Sequence, residues 1–147
     1  MEEHFRKLER MYHAAPINAF YNPRLKVEKG RAELTMEVKP EFHHAAQAVH
    51  GSVYFKALDD AAYFAVNSLV EDAFVLTASF NLYFLLPISS GTLTAKGQIL
   101  HESKNNYIAE SILFDQDGNQ ISRGTGSFIR SKIPLPTIKD YAFDRGG

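Results

Sequence analysis

From Ser52 to about Val70 the chain reads SVYFKALDDAAYFAVNSLV, rich in Ala, Phe and Leu and free of glycine and proline. The stretch is too long for an ordinary strand and predicts a helix that is apolar nearly all round, and therefore largely buried. Such a helix buries its whole girth only if another layer curls about it, and the rest of the chain supplies strands to do so. Ala32, Leu34, Met36 and Val38 alternate with polar residues until Pro40. Phe74, Leu76, Ala78, Phe80, Leu82, Phe84 and Leu86 alternate with Val75, Thr77, Ser79, Asn81 and Tyr83 until Pro87. Two more runs, Leu93 to Leu100 and Tyr107 to Phe114, are separated by HESKNN, and DQDGN separates the second from Gln120 to Arg130. These three runs predict an antiparallel meander. The expected architecture is α+β, with one antiparallel sheet wrapped around a central helix.

With 147 residues, 45% hydrophobic and 12% aromatic, the chain has material for one core, and residues 1–147 are expected to form a single domain. Phe5, Leu8, Met11 and Tyr12 recur at helical spacing, so Glu2 to His13 predicts an amphipathic helix. With the turn-prone APINAFYNP after it, this segment, residues 1–22, forms an N-terminal strap or lid. The tail, residues 134–147, with PLP and a terminal RGG, is expected to be loosely held. A formal net charge of -1 gives no basic excess to draw the chain to nucleic acid or an anionic membrane. The charged first residues lack a signal peptide's apolar stretch, and no run reaches the length of a membrane span. A cytoplasmic location is the expectation. The absence of cysteine excludes disulfides, thiolate metal sites and a cysteine nucleophile.

Two adjacent carboxylates interrupt the central helix. Asp60 shares a face with Lys56 and Asn67, where a Lys to Asp pair is ordinary surface chemistry. Asp59 instead shares its stripe with Ser52, Phe55, Ala62, Tyr63 and Val66, with no basic residue squarely in line. Desolvation disfavours an ionised carboxyl on such a stripe, which marks a functional candidate as readily as a carboxyl bonded to a neighbouring strand. Just before the helix stands His50-Gly51-Ser52. A helix N-terminus with a glycine offers exposed N–H groups to an oxyanion, and equally an N-cap. Eight residues separate Gly51 from Asp59, about 12 Å of helical rise, too far to act together on one carbonyl. If both are catalytic, Asp59 of one subunit must face Gly51 of another across a two-fold axis, so the chain is an obligate dimer.

HGSVYFKALD, His50 to Asp59, followed by TASFNLYFLLP, Thr77 to Pro87, resembles the signature of the hotdog-fold acyl-CoA thioesterases, in their phenylacetyl-CoA thioesterase branch. The likeness covers roughly residues 43–130, and the order of elements agrees. It implies a hotdog fold and dimers, often paired into dimers of dimers. It implies an acyl-CoA substrate, with Asp59 as general base or nucleophile and the Gly51 N–H as oxyanion donor. Thr77 falls where relatives hold the attacking water, on a strand face shared with Ser79 and Asn81. His50 and Ser52 flank the oxyanion position, and Ser103, Lys104 and Asn105 fall in a turn that meets the CoA nucleotide or pantetheine. Lys104, Arg130 and Lys132 are candidate phosphate partners. Ser52 departs from the second glycine of the signature, and His44 stands where some relatives have a water-orienting Asn.

The resemblance implies no cofactor beyond the CoA that belongs to the substrate. No metal site is expected, because the six histidines show no pairing at helical ligand spacing. A rival reading is a non-catalytic acyl-CoA sensor, which has no need of a carboxylate near a thioester carbonyl. A hotdog hydratase pairs its Asp with a His on the same helix, and no histidine follows Asp59 there. Phe55, Tyr63, Phe64 and Tyr83 are candidates for an aromatic acyl pocket and, equally, for core.

Overall fold

The computed structural model describes residues 1–143. Its elements in chain order are α1 (Glu2–Ala14), α2 (Asn18–Tyr21), β1 (Arg24–Glu28), β2 (Arg31–Glu37), α3 (Gly51–Asn67), β3 (Ala73–Phe84), β4 (Thr92–Glu102), β5 (Asn106–Phe114), β6 (Gln120–Pro134) and α4 (Lys139–Ala142). The strands form one antiparallel sheet in the order β1-β2-β4-β5-β6-β3. Helix α3 packs against all six, as a helix wrapped by a sheet requires. Among the described residues no helix is long and apolar enough to cross a membrane.

The helix begins where His50 Nδ1 accepts the Ser52 N–H at 3.0 Å. Its far end is pinned by Asn67, which is fully buried. The Asn67 amide donates to the Val70 carbonyl at 3.0 Å and accepts from the Val75 N–H at 3.3 Å, tying α3 to the start of β3. In the middle, α3 and β4 approach backbone to backbone: a Cβ on Gly97 would lie 2.4 Å from the Ala61 carbonyl carbon and oxygen. Nearby, the buried Ser111 hydroxyl donates to the Leu58 carbonyl at 2.6 Å, one residue before Asp59.

Two elements depart from expectation. The turn-prone segment holds the short helix α2, followed by strand β1, in which only Leu25 and Val27 alternate inward. Two apolar residues are too few for a periodic signal, and β1 is held instead by pairing with β2 and by the strap. The Glu9 carboxylate accepts the Val27 N–H at 2.8 Å, and His13 Nε2 accepts the Leu25 N–H at 3.0 Å. Helix α1 thus covers one edge of the sheet, a common protection for exposed strand donors. Strand β3 forms the opposite edge.

The tail is not loosely held over its described part. Leu135 is fully buried, and α4 packs on α1. The Tyr141 hydroxyl meets His4 Nδ1 at 2.7 Å, while His4 Nε2 donates to the Asn67 carbonyl at 2.8 Å. Apolar and polar contacts with a distant helix decide this, and local proline content does not reveal them. Residues 144–147 of the expected loose tail lie outside the described residues.

Candidate active site

Strand β3 is bulged between Thr77 and Ser79. Before the bulge, Ala73, Val75 and Thr77 point towards the helix; after it, Phe80 and Leu82 do. A bulge re-aims side chains in this way because its extra residue breaks the period of two. Thr77 therefore does not share a face with Ser79 and Asn81 as the alternation suggested. It turns inward, and its hydroxyl donates to Asp59 Oδ1 at 2.9 Å.

Asp59 is half-buried, and desolvation pushes its carboxyl up to about 6, with the Thr77 hydrogen bond acting in the opposite direction. Its Oδ2 takes no hydrogen bond among the described residues. The pairing of Lys56 with Asp60 is present, with Nζ 2.6 Å from Oδ2, but it is not at the surface. The two side chains are 12% and 18% exposed, because α1 lies over them and the Tyr12 hydroxyl donates to Asp60 Oδ2 at 2.6 Å.

At the other end of α3, His50 Nδ1 accepts from both the Ser52 N–H and the Ser52 hydroxyl, the latter at 2.8 Å. The His50 carbonyl takes the Val53 N–H. The Gly51 N–H stands outside these capping bonds. The Phe84 ring lies where a Gly51 side chain would be, 2.9 Å from an ideal Cβ, so only glycine fits beneath the ring in this position. A cavity of ≈ 410 Å³ opens beside Gly51, lined by His44, Val49, Tyr54 and residues 84–87. His44 is thus brought to Gly51; its Nδ1 accepts the Ala46 N–H at 3.0 Å.

The remaining candidates separate from Asp59. Ser79 is exposed on the outer face of the sheet, paired in register with Ser127, whose hydroxyl meets Asn106 Oδ1 at 3.1 Å. The same register brings the turn carrying Ser103, Lys104 and Asn105 to that end of the sheet, where all three are exposed. The Ser103 hydroxyl donates to the Asn106 carbonyl at 2.9 Å. Arg130 is engaged by both carboxylate oxygens of Asp72 at 2.6 Å, and Lys132 is exposed. Of the four aromatic pocket candidates, Phe64 is core against Tyr12, and Tyr63 packs on Phe74. Phe55 lies edge-on to Phe80, and Tyr83 is 71% exposed. Sequence reasoning missed Tyr54, Phe84 and Leu86 beside Gly51. For Phe84 and Leu86 the signal was the apolar run up to Pro87, which reads as ordinary strand, and Tyr54 reads as one more apolar residue of the buried helix α3.

Comparison with family models matches residues 46–122 to the thioesterase superfamily. Among curated proteins, a candidate esterase of Saccharolobus solfataricus is 24% identical over 135 residues, covering 90% of this chain and 93% of the relative. One from Sulfurisphaera tokodaii is 30% identical over 102 residues, covering 69% of this chain and 75% of the relative. Among solved structures, the Escherichia coli PaaI protein of the phenylacetic acid degradation operon superposes with a TM-score of 0.82 at 21% identity, covering 90% of this chain and 96% of that one. A thioesterase family protein from Silicibacter pomeroyi gives 0.79 at 23%, covering 86% and 96%.

Proposed function

Because the chain belongs to the thioesterase superfamily and has its hotdog fold, we propose that it hydrolyses acyl-CoA thioesters to the free acid and CoA. The observation that carries this reading is Asp59. It is a desolvated carboxyl near 6, held by one oxygen to Thr77, with its other oxygen unengaged among the described residues. Above pH 6 it is ionised and basic enough to take a proton from water, or to attack the thioester directly. Along the water route, the water oxygen bonds to the acyl carbon and its proton passes to Asp59. The carbonyl oxygen gains charge opposite the Gly51 N–H and the positive end of α3. The C–S bond then breaks and CoA leaves as a thiolate, which recovers the proton. Protein groups and water fill every role.

About 12 Å of helical rise separates Gly51 from Asp59 in one chain, so the two ends of the reaction are shared between protomers. Among the described residues strand β3 has no partner on its outer edge, whereas the strap covers the edge at β1. A dimer that brings the β3 edges and the α3 helices together antiparallel places Asp59 of one protomer near Gly51 of the other. Dimers of dimers are compatible with this arrangement. The cavity beside Gly51, walled by Phe84 and Leu86, receives the acyl or pantetheine part, with His44 at its rim. The exposed turn at Ser103, Lys104 and Asn105, with Ser79 nearby, meets the nucleotide.

The test is thiol release from short, medium, long and aryl acyl-CoAs by wild type and Asp59→Asn, with the assembly measured by sedimentation. Release by wild type and its loss in a still-dimeric Asp59→Asn is the expected result. Acyl-CoA bound without release from any substrate would overturn the hydrolase reading and leave a ligand-sensing module.

A further inference from the structure

Asp60 stands next to the reactive carboxylate, is mostly buried, and takes no part in the reaction above. Lys56 lies three residues before Asp59 and four before Asp60, spacings at which a helical lysine reaches either carboxylate. In the structure it reaches Asp60, at 2.6 Å. The strap holds it there. The Tyr12 hydroxyl from α1 donates to the same Asp60 oxygen, and the Lys56 ammonium sits 5.2 Å from the ring centre of Tyr12 and 5.1 Å from that of Tyr21 in α2. An ammonium between two aromatic faces and a carboxylate is strongly retained.

We propose that Asp60, Tyr12 and Tyr21 are positioning residues that hold the Lys56 ammonium away from Asp59, so that the Asp59 carboxylate stays unpaired for chemistry. This rests on Asp59 being the reactive group. Released from Asp60, Lys56 would turn to the only other carboxylate in its reach on α3. It would occupy the free Oδ2 and favour the charged, less basic form. The titratable and polar groups acting on Asp59 are Lys56 and Asp60, with Tyr63 also on α3, Tyr12 from α1 and Thr77 from β3. Lys56 is the one cation among them. The arrangement also accounts for two adjacent aspartates in a buried helix: one reacts, and its neighbour occupies the lysine.

The experiment follows the Asp59 carboxyl resonance by NMR and kcat/KM against pH, in wild type, Asp60→Asn and Lys56→Met/Asp60→Asn. In Asp60→Asn the Asp59 midpoint falls by about one pH unit or more, the size of effect an adjacent cation exerts, and the plateau of kcat/KM falls with it. In the double variant both return towards wild type, because the diverted lysine is gone. Asp60 and Lys56 also act on Asp59 directly as fixed charges of opposite sign, so Lys56→Met alone completes the cycle: it raises the midpoint by less than the same change does in the Asp60→Asn background, and equal effects in the two backgrounds overturn the proposal. An unchanged midpoint in Asp60→Asn, or a double variant that stays at the Asp60→Asn value, overturns the proposal. The NMR midpoint needs no turnover. A wild type that releases no thiol therefore counts against the hydrolase reading alone, while the titration still decides the role of Asp60.

Discussion

The Asp59 carboxyl titrates at about 6 in the folded chain against an ordinary value of 3.8, so the folded state binds its proton more tightly than the unfolded state does. Stability from this group is present below pH 4 and is lost as pH rises through 6. Asp59→Asn should therefore unfold later than wild type at pH 8, by roughly 2 kcal/mol, with no advantage at pH 4, as urea titrations at the two values would show. On the proposed mechanism the same titration governs activity: kcat/KM should fall about tenfold for each pH unit below 6, because only the ionised form would act as base. Thr77→Val removes a donor to that ionised form. Its pH profile should shift upward, with a larger loss at pH 6 than at pH 8.

Among the elements, the contact that sets the site is the crossing of α3 over β4. A methyl at position 97 meets the Ala61 backbone, which has no side-chain freedom with which to yield. Gly97→Ala should cost about 3 kcal/mol in chemical denaturation and lower activity beyond its effect on folding, since lifting α3 also lifts Asp59 from Thr77. Helix α3 and the β4-β5-β6 meander were legible in the sequence, the first from its long, mostly apolar run free of glycine and proline and the second from the DQDGN turn. Strand β1 was not, because two inward residues carry no period and its edge donors are satisfied by Glu9 and His13 from the strap. The β3 bulge was invisible for a different reason. Alternation continues through TASFNLYF in either frame, and only pairing with β6 shows that Thr77 and Ser79 face opposite ways.

For the assembly, the proposed sharing of the site between protomers makes a prediction that a self-contained monomer could not meet. Asp59→Asn and Gly51→Pro should each be inactive alone, the latter because proline at the first position of α3 removes the N–H proposed to meet the oxyanion while the helix still starts there. Mixed and allowed to exchange subunits, they should regain about a quarter of wild-type activity. Half the dimers are then mixed, and each of those carries one intact site of two. Thiol release in the mixture measures it, and a mixture as inactive as its components would place both halves of the reaction within one chain.

The buried helix, the antiparallel character of the sheet, the oddity of Asp59 and the distance between Asp59 and Gly51 along α3 all follow from the order of residues. Each of these depends on spacing along a single element, which is written in consecutive residues. Contacts across the fold fix which way Thr77 points, that the Lys56–Asp60 pair is buried, that the tail packs on α1, and which sheet edge is open among the described residues. Each of these depends on a segment far away in the chain: β6 for Thr77, the strap for Asp60, His4 for Tyr141. Desolvation and pairing act between neighbours in space, and no local pattern in the residues concerned records who those neighbours will be.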